Sequence, residues 1–128
     1  MERKDNVNIH DFWKVTLSQD ANAMRHYFDK GAYIRWYNTN EQFSVDEFII
    51  ANCEYPDNWD GEVERVEKID DLLITVTHVY AVNKPLSFHV TSFIQTRDDK
   101  IISIDEYWGD DGEAPKWRLD KHIGKEIK

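Results

Sequence analysis

Apolar side chains recur at Ile9, Phe12, Trp13, Thr16 and Leu17, the spacing that lines one face of a helix over residues 8–18. Asn8 stands where it could cap that helix. A second helix is predicted from about Asp20, a plausible N-cap, to Phe28, with Ala23, Met24, Tyr27 and Phe28 on its apolar side. Gly31 suits its C-terminal cap. Ala32 to Tyr37, aromatic and β-branched, reads as a strand, and Asn38-Thr39-Asn40-Glu41 as a polar turn. Ser44 followed by Glu47 is a capping box opening a third helix through about Cys53, with Val45, Phe48, Ile49 and Cys53 on its apolar face. Pro56-Asp57-Asn58 breaks the chain. From there the pattern is strand and turn: runs at 61–69, 72–81, 86–97 and 100–108, separated by Asp70-Asp71, Asn83-Lys84 and Asp98-Asp99. Such short turns pair neighbouring strands antiparallel. Three N-terminal helices gathered against an antiparallel sheet make an α+β fold.

The turns also suggest a register. Two-residue turns at Asp98-Asp99 and Asn83-Lys84 set Arg97 opposite Lys100, Phe93 opposite Ile104, Thr91 opposite Glu106, His89 opposite Trp108, and His78 opposite His89. Because side chains alternate along a strand, these residues would share one face, taken as the concave one under the helices. Phe88, Val90, Ser92, Ile94, Ser103, Asp105 and Tyr107 would share the other. Both faces are partly apolar, which points to a second subunit covering the outer one, hence a homodimer formed through the sheet.

Length changes this picture little: 128 residues make one domain, able to bury roughly two-thirds of its unfolded surface without a staple. Seventeen aromatics exceed what a minimal core needs, and the excess could line a cavity. A net charge of −9 argues against nucleic acid and against anionic membranes. The lone Cys53 permits no internal disulfide and reads as a packed thiol. Met1-Glu2-Arg3-Lys4-Asp5 is polar, unlike a signal core, and no apolar run approaches a membrane span, so a cytoplasmic location is expected.

The chemistry on the presumed concave face centres on Glu106 with His89 beside it. A carboxyl in an apolar cavity has its pKa raised by desolvation, and a group tuned toward neutrality is a good proton shuttle. Glu106 and His89 are therefore the candidate catalytic pair. Arg35 or Arg65 could pair with Glu106 instead. Phe12, Trp36, Asn38, Phe48, Trp59, His78, Thr91, Phe93 and Trp108 are the candidate pocket residues. His78, His89 and Glu106 would be a legitimate metal-ligand set, but no ligand-spacing motif supports it, and neither metal nor cofactor is assigned. Asp110-Asp111-Gly112-Glu113 reads as a solvated turn. Phosphate loops, nucleophile elbows and zinc-finger spacings are absent from the sequence.

Three stretches resemble one family: Asp20-Ala21-Asn22-Ala23-Met24 leading to Tyr27-Phe28, then Gly31-Ala32-Tyr33-Ile34, and the closing Lys100-Ile101-Ile102-Ser103-Ile104-Asp105-Glu106-Tyr107-Trp108. With the element order, they resemble the nuclear transport factor 2-like superfamily, specifically its SnoaL-like domains, over nearly the whole of residues 1–128. The resemblance implies a cone-shaped curved sheet wrapped on three helices, of the cystatin-like kind, often dimeric. It spans ketosteroid isomerase, scytalone dehydratase, epoxide hydrolases, polyketide cyclases and non-enzymatic binding modules, so it implies a fold rather than one reaction. The isomerase-type base and oxyanion positions fall near Trp36, Phe12 and Thr91, which lack the required groups. The epoxide-hydrolase-type and cyclase-type acid of the last strand falls on Glu106, and Trp36-Tyr37-Asn38 resembles the former's aromatic-x-Asn. That enzyme's Arg–Asp pair has no counterpart. The expected function is binding of a small apolar molecule, with general acid/base isomerisation, cyclisation, dehydration or hydrolysis as the catalytic form. The alternatives are a non-catalytic binding module and a dimerising interaction domain.

Overall fold

A computed structural model describes residues 7–128; the polar segment Met1-Glu2-Arg3-Lys4-Asp5 lies outside the described residues. The helices begin where the capping residues place them. Helix α1 spans Ile9–Leu17, and Asn8 Oδ1 accepts from the Asp11 N–H at 3.1 Å. Helix α2 spans Ala21–Arg25, with Asp20 accepting from the Ala23 N–H at 3.1 Å. These side-chain oxygens satisfy amides that the first turn leaves without a partner. Strand β1 is Phe28–Trp36 and β2 is Glu41–Ser44. Helix α3 spans Val45–Cys53 and opens on a complete capping box between Ser44 and Glu47. Strands β3 (Trp59–Ile69), β4 (Leu72–Ala81), β5 (Ser87–Arg97) and β6 (Lys100–Asp110) follow, and a short α4 (Lys116–Asp120) lies near the C-terminus.

The six strands form one curved, unclosed sheet in the order β2-β1-β6-β5-β4-β3. The architecture is α+β, as expected. One pairing departs from the antiparallel expectation: β1 lies parallel to β6. The whole of α3 to β5 intervenes between them, long enough to supply the crossover a parallel pair needs.

Two element boundaries differ from the sequence reading. α2 stops at Arg25, and Phe28 to Gly31 enter the sheet rather than a helix end. Phe28 there packs edge-to-face on Phe12 and Phe48, at centroid distances of 5.7 and 5.9 Å. Gly31 is not a positive-φ helix cap. β2 is an added edge strand where only a turn was expected. At the C-terminus, where the sequence suggests Trp117 as an anchor packing the tail down, that side chain is 58% exposed and meets the Arg118 guanidinium.

The core fills the space between the helices and one sheet face. Phe12 and Trp13 of α1, Met24 of α2 and Phe48 and Ile49 of α3 are buried against Ile34, Val90, Ile94, Ile101 and Ile104. Each such side chain contributes about 1.5–3 kcal/mol of burial free energy.

Register decides which residues face this core, and it changes partway along the β5–β6 hairpin. Asp98 and Asp99 both adopt positive φ, at 52° and 66°, as a tight two-residue hairpin turn demands. Arg97 faces Lys100 and Thr96 faces Ile101, as expected. Beyond them a β-bulge makes Ile102 an extra residue. Gln95 then faces Ser103, Ser92 faces Glu106 and Val90 faces Trp108. The hairpin around Asn83-Lys84 is longer than two residues, but it is symmetric about that pair, so His78 does face His89.

The expected common face is therefore split. Ile104, Glu106 and Trp108 point to the concave side with Val90, Ser92 and Ile94. His78, His89, Thr91 and Phe93 turn to the outer side, in register with Val76 and Ile74. One inserted residue inverts every later side chain of a strand relative to its neighbour.

Candidate functional site

The concave side encloses a cavity of about 490 Å³ between α1, α3 and the sheet. That is within the range of small-molecule sites. Its walls are aromatic: Phe12 and Trp13 from α1, Phe48 from α3, Trp36 at the end of β1, Trp59 at the start of β3, Phe88 on β5 and Trp108 on β6. The rings meet edge-on, with Trp36 against Phe48 at 6.1 Å, Trp36 against Trp108 at 6.4 Å and Phe88 against Trp108 at 6.2 Å. Edge-to-face contacts fix ring orientation as well as burying area.

Glu106 is the carboxylate inside this cavity, only 3% exposed. Its Oε1 accepts from Trp36 Nε1 at 2.9 Å and its Oε2 from the Ser92 hydroxyl at 2.7 Å. Burial pushes the carboxyl above the usual carboxylate range, and the Ser92, Trp36 and Trp108 donors oppose that rise. Trp108 Nε1 faces the same carboxyl but stops short of a full hydrogen bond, and this buried N–H has no other partner. Among the described residues no cation pairs with Glu106. Arg35 bonds Gln42 Oε1 at 3.0 Å and lies over the Tyr33 ring, and Arg65 pairs with Glu67.

The rim is polar. Asn38 ties the turn after β1 to β6 by accepting from the Trp108 backbone N–H at 2.6 Å while its amide donates to the Trp108 carbonyl. Gln19 reaches across from the end of α1 to the carbonyls of Asn52 (2.8 Å) and Tyr55 (2.9 Å). Thr39, Glu41 and Asp110 complete the mouth. Among the described residues the lining holds three carboxylates, Glu41, Glu106 and Asp110, and no Lys, Arg or His.

Of the sequence candidates, the cavity brings together Glu106, Phe12, Trp36, Asn38, Phe48, Trp59 and Trp108. His78, His89, Thr91 and Phe93 stand on the other side of the sheet, so the expected pairing of His89 with Glu106 does not form. His89 instead bonds Asp111, which raises its pKa from the ordinary histidine value. Asp111 is therefore more than a member of a solvated turn. Ser92, Phe88 and Trp13 were missed as cavity residues. The first two carry the same register error as His89, and the broken alternation Ile101-Ile102-Ser103-Ile104 was the signal that could have revealed it. Cys53 packs with its Sγ 3.7 Å from Met24 Sδ, and burial raises its pKa.

No protein-family model matches the chain, and no characterised protein matches it by sequence. Solved structures do match by shape. An NTF-2 like protein of unknown function from Burkholderia xenovorans LB400 superposes with a TM-score of 0.73 at 20% identity, over 91% of this chain and 90% of that one. A protein of ketosteroid isomerase-like fold from Catenulispora acidiphila, solved in complex with trimethylamine, gives a TM-score of 0.65 at 13% identity, over 80% and 85%. An LEH-like epoxide hydrolase of M. tuberculosis gives 0.64 at 11% identity, over 77% of each chain. At such identities the likeness speaks for shape alone, and it agrees with the helix-on-curved-sheet architecture described above: this chain has the fold of the nuclear transport factor 2-like superfamily.

Proposed function

We propose that the protein binds a small, largely apolar molecule in the aromatic cavity and that Glu106 exchanges a proton with it. The observation that carries this reading is a carboxyl buried with no cation on it among the described residues, held from two sides by Trp36 and Ser92, at the wall of an aromatic cavity. Trp36 and Ser92 fix its orientation. Desolvation keeps its proton available, so it can act as acid toward a ligand oxygen and as base in the return step. The unpartnered Trp108 N–H offers a hydrogen bond to the same ligand oxygen. Reactions of this form are isomerisation, cyclisation, dehydration or hydrolysis. A lining of carboxylates and aromatics, with no basic side chain among the described residues, favours neutral or cationic ligands over anions. The trimethylamine bound to the Catenulispora acidiphila protein is a ligand of that charge class.

The test is a panel of carbonyl and epoxide compounds assayed with the native chain and with Glu106→Gln. Turnover should fall by about a hundredfold or more. Retention to within about threefold removes Glu106 from the chemistry.

A second reading, binding without catalysis, is favoured by the place of His89. With that ring on the outer face, Glu106 has no histidine or second carboxylate bonded to it inside the cavity. Native mass spectrometry that finds a tightly held small molecule, with no turnover of it, selects this reading. The outer sheet face is the place proposed for a second copy of the chain.

A further inference from the structure

β3, β4 and β5 gather polar side chains on the outer face, across the sheet from the cavity. His78 and His89 are register partners, and their rings stack 4.8 Å apart and 11° from parallel. Glu62 is the register partner of His78 on β3. Glu64 is the extra residue of a second β-bulge, between Val63 and Arg65, and its Oε1 lies 3.2 Å from His89 Nε2. Behind the rings, His89 Nδ1 is 2.6 Å from Asp111 Oδ1, the Ser87 hydroxyl donates to Asp111 Oδ2 at 2.5 Å, and His78 Nε2 is 2.8 Å from Ser87 Oγ.

These contacts settle the tautomers of the neutral rings. Ionised Asp111 accepts from His89 Nδ1–H and from the Ser87 hydroxyl. Ser87 has then spent its proton, so its oxygen accepts from His78 Nε2–H. Bare lone pairs remain on His89 Nε2 and His78 Nδ1. Both lie on the side where carboxylates stand: Glu64 at 3.2 Å from the first and Glu62 at 3.9 Å from the second. A lone pair facing a carboxylate is repulsive, and a positive charge between them, a second ring proton or a metal ion, relieves it.

We propose that Glu64, His78 and His89 form a binding site for one divalent transition-metal ion, with Zn²⁺ the best chemical match. One ligand atom from each of the three lies within 4.8 Å of the others. Zn–N and Zn–O bonds of about 2.0–2.2 Å at the tetrahedral angle set ligand atoms about 3.3–3.5 Å apart. The Glu64–His89 edge already has close to that length, and rotation of the His78 ring or of Glu64 closes the rest. Two imidazoles with a carboxylate select zinc-like ions over magnesium or calcium, and water takes the fourth place. Asp111 and Ser87 hold the two rings from behind, as carboxylates and hydroxyls do for ligating histidines. The carboxylates of Glu62, Glu64 and Asp111 outnumber the Lys128 ammonium, which is 3.6 Å from Glu64 Oε2 on a chain end exposed enough to withdraw.

Chelator-treated protein titrated with Zn²⁺ in a calorimeter should take up one equivalent per chain, and Mg²⁺ should not compete. His78→Ala, His89→Ala and Glu64→Gln should each weaken uptake at least tenfold, and Asp111→Asn by about tenfold to a hundredfold. His10→Ala, on the exposed side of α1, should leave uptake unchanged. Far-UV circular dichroism checks that each variant is folded, which the partly exposed positions favour. Absence of saturable uptake by the native chain overturns the proposal. So does uptake that survives both histidine substitutions.

Discussion

A carboxyl placed as Glu106 is placed gains from being neutral, and that has a measurable sign. Its pKa in the folded chain is raised by burial above the ordinary Glu value of about 4.3. The contribution of this group to stability is then fully present below about pH 4.3 and is lost as pH rises through the folded-state value. Glu106→Gln, neutral at every pH, does not suffer that loss. Relative to the native chain, the variant should gain stability as pH climbs from 4, by up to about 1.4 kcal/mol per pH unit, and the gain should level off once the native group ionises in the folded chain. Lost hydrogen bonds with Trp36 and Ser92 add a pH-independent offset but no slope. Urea unfolding of both proteins at a series of pH values measures the difference. A difference that is flat from pH 4 to 8 would mean that burial does not perturb Glu106.

At the scale of elements, local chemistry carried far and insertions did not. The capping residues Asn8, Asp20 and Ser44 with Glu47 each stand at the helix start they announced, because a cap is a contact between residues three apart. The turn at Asp98-Asp99 set the first two β5–β6 pairs correctly for the same reason. The bulge at Ile102 is different. Its cost and benefit depend on the partner strand and on sheet curvature, so sequence alone shows only a doublet of apolar residues where alternation requires one. That single residue moved Ser92 and Phe88 into the site and His89 out of it. Glu106 and Trp36 were legible because Ile104, Glu106 and Trp108 on β6, and Ile34 and Trp36 on β1, alternate regularly beyond the irregular part of each strand. The β3 bulge at Glu64 was not legible at all, and three residues before it lies Gly61, where the backbones of β3 and β4 come so close that a Cβ would stand 2.2 Å from the His78 carbonyl oxygen. Gly61→Ala must push β3 away from β4, an overpacking cost of about 1–3 kcal/mol. Urea unfolding reads that loss. A change below about 0.5 kcal/mol, the size of an ordinary surface substitution, would show that the strands give way freely there.

For the whole molecule, the open question is what covers the outer face of the sheet. Helices α1, α2 and α3 pack on the concave side, and among the described residues no helix is long and apolar enough to cross a membrane. Tyr37 and Tyr107 stack there at 4.6 Å, each nearly half exposed, and Phe93 packs edge-on against Tyr107 at 6.0 Å. Beside them Asp105 Oδ1 is buried with no hydrogen-bond donor, a costly arrangement for a face that stays alone. A second copy related by a two-fold axis would cover the aromatic belt on both chains at once and bring donors toward Asp105. Sedimentation velocity should then report a particle of about twice the 15.3 kDa chain at micromolar concentration. Tyr107→Glu, which sets a second negative charge beside Asp105 in the centre of that belt, should shift the equilibrium toward monomer by at least tenfold, while the concave cavity, on the opposite side of β6, keeps its shape. A native chain that sediments as a monomer throughout the micromolar range would leave the belt to solvent and remove the dimer from consideration.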